Sequence, residues 1–246
     1  MERSSQNGLR LSIVIAVLDS HEALRRQLLW FKSMRLPSDV EIIIVDDGSD
    51  PVLTNACGLP NCYILATRDK RPWTQGLARM RGIDAARSEY VLCTDIDHIL
   101  SKEAIEYGRK FKGDKAIFQR RFAYLDELGE LVRDKQKVIE WGANPKAFRD
   151  KELGDGVHMN TWIMRKSLFE ELGGYNIDRC NSGSHLQNED KDFNHRFEKH
   201  AQKGKCKVHE VGPPIYFFPC GRYHIRGEDN PHELFHKLEH TKWPKT

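Results

Sequence analysis

The sequence predicts an α/β fold: one Rossmann-like domain in which buried strands alternate with helices. Three observations carry this. Two runs, residues 11–18 and 40–45, are too uniformly apolar for strands with a wet face, so they read as parallel strands buried on both sides. Between them, Ser20 and a stripe of Leu24, Leu28 or Leu29, and Phe31 mark a helix ended by Pro37, which makes a right-handed βαβ unit. Each strand end is also polar or charged, as expected where an open sheet binds ligand beyond the carboxyl ends of its strands.

The elements follow in order. Residues 62–66 give a third strand, a basic segment spans 68–73, and 75–86 is a helix with Leu77, Met80, Ile83 and Ala86 on its apolar face and Arg79 and Arg81 off it. Residues 89–93 form a fourth strand that breaks into Asp95-x-Asp97 with a histidine directly behind. A helix from Ser101 to about 111, a strand over 116–124 and a turn at 128–130 come next. Residues 133–156 lack a clear period, with some helix near 145–153, and 159–164 is a strand. A short helix over 166–172 stops at Gly173-Gly174, as a left-handed C-cap requires. Asn188 caps a helix with Phe193, Phe197 and Ala201 on one face, ended by Gly204. Short strands over 208–211 and 215–218 flank Pro213-Pro214, and a last helix runs over 231–238. No repeat, low-complexity tract or linker divides the chain, so one domain is expected: a nucleotide-binding half over about 10–100, an acceptor and catalytic half over about 101–226, and a C-terminal helix and tail over 227–246.

Composition narrows the function. With 246 residues, the chain can bury a large core, and 39 basic against 36 acidic residues leave a net charge of only +3. That balance gives no strong nucleic-acid signal. Cysteines at 57, 62, 93, 180, 206 and 220 form no C-x-x-C pair and read as reduced thiols of a cytoplasmic protein. The apolar run at 11–18 follows two arginines but lacks a small-residue cleavage site, so it is a strand and not a signal core. No run reaches the roughly 18 apolar residues of a membrane span, so membrane contact is expected to be peripheral at most.

Five groups carry chemistry. Asp46-Asp47-Gly48-Ser49 can accept from a base N–H or from ribose hydroxyls, and the same residues also make a good turn. Asp95 and Asp97, two apart on an extended segment, lie on one side and can share a hard divalent cation. Glu189-Asp190 opens a helix, where the dipole favours ionised carboxylates. Arg222-Tyr223-His224-Ile225-Arg226 sets a histidine between arginines. His232-Glu233-x-x-His236 fits the zinc metalloprotease pattern, but the remaining ligand, His240, stands on the same helix stripe, a poor tetrahedral geometry.

In this order the residues resemble glycosyltransferase family 2 on the GT-A fold. The matching parts are 11–19, Ile42 to Ser49, Gly76-Leu77 with Ala78 to Ile83, Tyr90 to Asp97, Phe169-x-x-Leu172-Gly173-Gly174-Tyr175, and Asn188-Glu189-Asp190-x-Asp192-Phe193 with Arg196. The last third also resembles the carboxyl-terminal half of the β-1,4-galactosyltransferases, through Gly173-Gly174-Tyr175-Asn176, Glu189-Asp190 and His224-x-Arg226. The resemblance implies a mixed, mostly parallel central sheet flanked by helices, and a metal-dependent inverting transferase moving sugar from a nucleotide-diphosphate sugar, UDP-linked, to an acceptor hydroxyl. It implies Asp190 as base with Glu189 orienting the acceptor. Donor contacts fall to Asp19, Asp47, Arg79 and Asp95, and Mn²⁺ or Mg²⁺ to Asp97, His224 and Asp95. A non-catalytic nucleotide- or sugar-binding module of the same fold is the alternative. Two departures stand out: Met80 replaces a frequent asparagine, and Ser182-Gly183-Ser184-His185-Leu186-Gln187 replaces the usual acceptor-side run, so acceptor identity does not transfer.

Overall fold

Both uniformly apolar runs become strands buried along their whole length, β1 (Leu11–Val17) and β2 (Val40–Asp46). They belong to a computed structural model that describes residues 8–54, 58–69, 71, 74–134, 136–137, 154–178 and 189–217. The other strands are β3 (Cys62–Ala66), β4 (Tyr90–Asp95), β5 (His98–Ile99), β6 (Lys115–Phe122), β7 (Tyr124–Leu125), β8 (Leu131–Val132), β9 (Gly154–Arg165) and β10 (Glu210–Phe217). The helices are α1 (His21–Ser33), α2 (Gln75–Ala85), α3 (Lys102–Lys110), α4 (Lys166–Glu171) and α5 (Glu189–Gln202).

Eight strands form one sheet in the order β3-β2-β1-β4-β9-β6-β10-β5, and β7 and β8 pair separately. The β3-β2-β1-β4 half is parallel throughout, while β9 runs antiparallel to both β4 and β6. The order reverses between β1 and β4. A crevice opens at such a switch point beyond the carboxyl ends of the strands. Helices cover both faces: Leu24, Phe31 and Ile105 pack on one, and Ala78, Ile83, Phe169, Phe193 and Phe197 on the other. Among the described residues no helix is long and apolar enough to cross a membrane.

Several elements depart from the pattern read in the sequence. In α1, Leu24 and Phe31 are buried as expected, but Gln27 is buried too. Its Nε2 donates to the carbonyls of Ile96 (2.6 Å) and His98 (2.9 Å), so α1 is rotated to pin the turn after β4. Ser20 precedes α1 without capping it, because its hydroxyl donates to the Leu18 carbonyl at 2.8 Å. Ser101 does cap α3, accepting from the Ala104 N–H at 3.0 Å.

Helix α2 turns inward a face of Gly76, Ala78, Arg79, Gly82 and Ile83, so Arg79 lies on the buried face and not off it. Gly82 permits the approach, since a Cβ there would stand 2.4 Å from Val14 Cγ1 and 2.9 Å from Val45 Cγ2. The two strands expected around Pro213-Pro214 are one strand, β10, whose register shifts between Gly212 and Ile215 where the prolines offer no N–H. Strand β5 pairs with β10 through His98 and Phe217, a link too short to show as a pattern. The segment over 145–153 and the helix over 231–238 lie outside the described residues.

A buried charge also lies within the core. Lys115, at the start of β6, donates to Asn194 Oδ1 at 2.5 Å and lies 4.6 Å from the Phe197 ring centroid. Burial pushes its ammonium down to about 8 from 10.5, so the folded state binds fewer protons than the unfolded chain between those values. Stability is therefore penalised below pH 8 and recovers as pH rises from 8 to 10.5, by up to about 3 kcal/mol. Urea unfolding of the parent and Lys115→Met should differ in that window, the variant lacking the rise. Parallel pH profiles would remove this penalty from Lys115.

Candidate functional site

The acidic turn after β2 divides two duties between adjacent aspartates. Asp46 is fully buried and accepts from the backbone N–H of Ser49 (2.8 Å) and Leu53 (3.0 Å), which folds the turn, with Gly48 at φ +85°. Asp47 instead faces β3 and α2. Its Oδ2 accepts from Thr74 at 2.8 Å and its Oδ1 from Thr67 at 3.3 Å. Thr74 is the N-cap of α2 yet makes no cap bond, because its hydroxyl is given to Asp47. Asp19, just past β1 at φ +46°, joins this corner: its N–H donates to Ser49 Oγ (2.9 Å) and its Oδ1 accepts from Asp50 N–H (2.8 Å). Asp19 and Asp47 are thus brought together beyond β1 and β2.

Beyond β4, next to that corner, Asp95, Asp97 and His98 each present a ligand atom, all within 4.8 Å of one another. His98 is almost fully buried, with Nδ1 2.7 Å from Thr161 Oγ1 and 3.9 Å from Asp95 Oδ2. The Thr161 hydroxyl in turn lies 2.9 Å from that of Thr94. Burial pushes the imidazole below its usual range, against the raising effect of Asp97 and Asp95, so it is neutral near pH 7, as a metal ligand must be. Two carboxylates and a neutral imidazole, oriented by a second hydrogen bond, fit a divalent ion. The only hint of His98 in the sequence was its position directly after Asp97. His224 and the His232-Glu233-x-x-His236 motif lie outside the described residues.

The third group comes from α2 and α5. Arg79 is fully buried, and its Nη2 donates to Asp95 while its Nη1 donates to Asp190 at 2.5 Å. Its guanidinium carbon lies 5.7 Å from the centroid of the Tyr175 ring, and Trp162 Nε1 donates to the Tyr175 hydroxyl at 3.1 Å. Gln75 Nε2 also donates to Asp95 Oδ1, at 3.1 Å. Burial raises the Asp190 carboxyl to about 6, with Asp95 and Glu189 adding to the rise and Arg79 opposing it. The Asp190 side chain keeps 21 % of its surface exposed, enough to meet a bound hydroxyl. Glu189 is buried against the start of α2, where a Cβ on Gly76 would stand 3.1 Å from its Cγ. Periodicity had no means of finding the Arg79 bridge or the Thr67 and Thr74 braces, because each partner comes from a different element.

A family model described as glycosyl transferase family 2 matches residues 12–173. No curated protein matches the chain in sequence. Among solved structures, S. aureus TarS 1-349 is 14 % identical with a TM-score of 0.53, covering 85 % of this chain and 60 % of its own length. The same protein in complex with UDP-GlcNAc also scores 0.53 at 14 % identity, covering 94 % of this chain and 64 % of its own. The mannosyltransferase PcManGT from Pyrobaculum calidifontis, in complex with GDP-Man and Mn²⁺, is 14 % identical with a TM-score of 0.51, covering 90 % of this chain and 59 % of its own. The chain therefore spans about six-tenths of the length of these structures and shares their fold.

Proposed function

The chain belongs to glycosyl transferase family 2, and from that premise we propose that it moves a sugar from a UDP-linked donor to an acceptor hydroxyl, with a divalent metal bound and with inversion at the anomeric carbon. One observation supports this most: Asp190, a carboxyl raised to about 6, stands one guanidinium away from the Asp95, Asp97 and His98 cluster at the switch point of the sheet.

Transfer needs the leaving diphosphate neutralised, the acceptor hydroxyl deprotonated and both held in line. Asp47, fixed by Thr67 and Thr74, takes the base N–H, and Asp19 lies beside it. Asp97, His98 and Asp95 would hold the metal, and Asp95 would also face the donor sugar. His224, which lies outside the described residues, is proposed as a further ligand on the family resemblance alone. A divalent ion there, Mn²⁺ in preference to Mg²⁺ because of the imidazole, supplies the charge that stabilises the leaving diphosphate. Glu189 orients the acceptor, and Asp190 accepts its proton late, as the anomeric carbon becomes electrophilic. A base facing the sugar across from the leaving group makes a single displacement. The companion structures, one bound to UDP-GlcNAc and one to GDP-Man with Mn²⁺, support a nucleotide-sugar donor.

Asp190→Asn keeps shape and a hydrogen bond but cannot take the proton. Turnover should fall by about 10²–10⁴-fold with donor affinity nearly intact. Because the base works ionised, activity of the parent should fall as pH drops through about 6 and hold above it. Full activity of the variant would disqualify Asp190 as the base. Calorimetry with UDP should show Mn²⁺ binding weakened by about 10–100-fold in Asp97→Asn and in His98→Gln. Unchanged affinity in His98→Gln would leave His98 a packing residue.

A further inference from the structure

Among the described residues, Arg79 is the fully buried cation that joins the two halves of the site. Its three neighbours come from three elements: Asp95 from the end of β4, Asp190 from the first turn of α5, and the Tyr175 ring from the segment after α4. Asp190 is 111 residues along the chain from Arg79, so nothing local brings them together. The guanidinium has no exposed surface, and both Nη groups are given to carboxylates. Wholly out of reach of solvent, it could meet a diphosphate only if the packing around it moved. Its Nε, moreover, is buried with no acceptor among the described residues. A cation placed only to stabilise the fold would be expected to satisfy that donor. Here two of the five N–H donors go to the two candidate carboxylates while Nε goes without, as suits a group placed for position.

We infer that Arg79 is a positioning residue that touches neither donor nor acceptor: it ties the donor-side carboxylate Asp95 to the acceptor-side carboxylate Asp190 and fixes their separation. The terms donor-side and acceptor-side rest on the glycosyl-transfer reading above, whereas the bridge itself does not. A planar fork with two parallel N–H directions holds two carboxylates at a set distance, which the single point charge of a lysine cannot. Tyr175, held by Trp162, keeps the plane of the fork from turning.

The test starts with the metal-free full-length chain labelled with ¹³C at its aspartate carboxyls, the Asp190 resonance being assigned with Asp190→Asn. Removing the cation in Arg79→Gln should raise the Asp190 midpoint by about 1–3 pH units. Removing the competing anion in Asp95→Asn should lower it, and this arm decides the matter if the Arg79 variant does not fold. Unmoved midpoints in the folded variants would overturn the bridge. The second measurement is calorimetry with UDP and with GDP in Mn²⁺, alongside slow release of nucleoside diphosphate from the donor. Arg79→Gln should keep nucleotide affinity while release slows by about 10²-fold, as for a misplaced reacting group. Arg79→Lys should restore the Asp190 midpoint more than it restores release. A loss of nucleotide affinity as large as the loss of turnover would make Arg79 a donor ligand and overturn the inference. If neither nucleotide binds the parent, the transferase reading fails and the carboxyl titration still decides the bridge.

Discussion

A guanidinium taken wholly out of water governs the site. Desolvating such an ion costs several kcal/mol, and only well-placed opposite charges offset it. Arg79 has two, Asp95 and Asp190, and their pairing fixes where α2, β4 and α5 stand relative to one another. The rest of the architecture serves that arrangement. Gly82 lets α2 lie directly on β1 and β2, and Gly76 leaves room for Glu189 at the start of the same helix. Gln27 of α1 holds the turn carrying Asp97 and His98 from the opposite face of the sheet.

The site follows from a separation of structural and functional carboxylates. Asp46 is consumed by the turn it folds, while Asp47 next to it is held by the side-chain hydroxyls of Thr67 and Thr74. Asp190 stays a candidate base because burial raises it while Arg79 limits the rise. Without the cation it would be raised further; in a fully solvated neighbourhood it would be a weaker base.

Much of this was legible in the sequence, for physical reasons that also explain what was not. Strands buried on both faces leave uniform apolar runs, so β1 and β2 were readable to within a residue or two. Acidic strand ends drew attention to Asp46-Asp47 and to Asp95-x-Asp97, but did not show that Asp46 is spent on its own turn. Helical periodicity, by contrast, places any arginine on the wet face. Arg79 was read that way because its two partners lie 16 and 111 residues away along the chain. Strand β9 was expected only over 159–164 and begins at Gly154, its first half held by pairing with β6 and not by its own pattern. The prolines of β10 suggested two strands where a register shift keeps one.

Stereochemistry probes the central claim, that an ionised Asp190 drives one direct displacement, without any knowledge of the acceptor. With an α-linked UDP-sugar and water as the acceptor, time-resolved NMR reads which anomer of the released sugar forms first, before mutarotation mixes them. A single displacement yields the β-anomer first. An α-anomer released first by the parent enzyme would contradict it, requiring either a double displacement or front-face attack in place of the base assigned to Asp190.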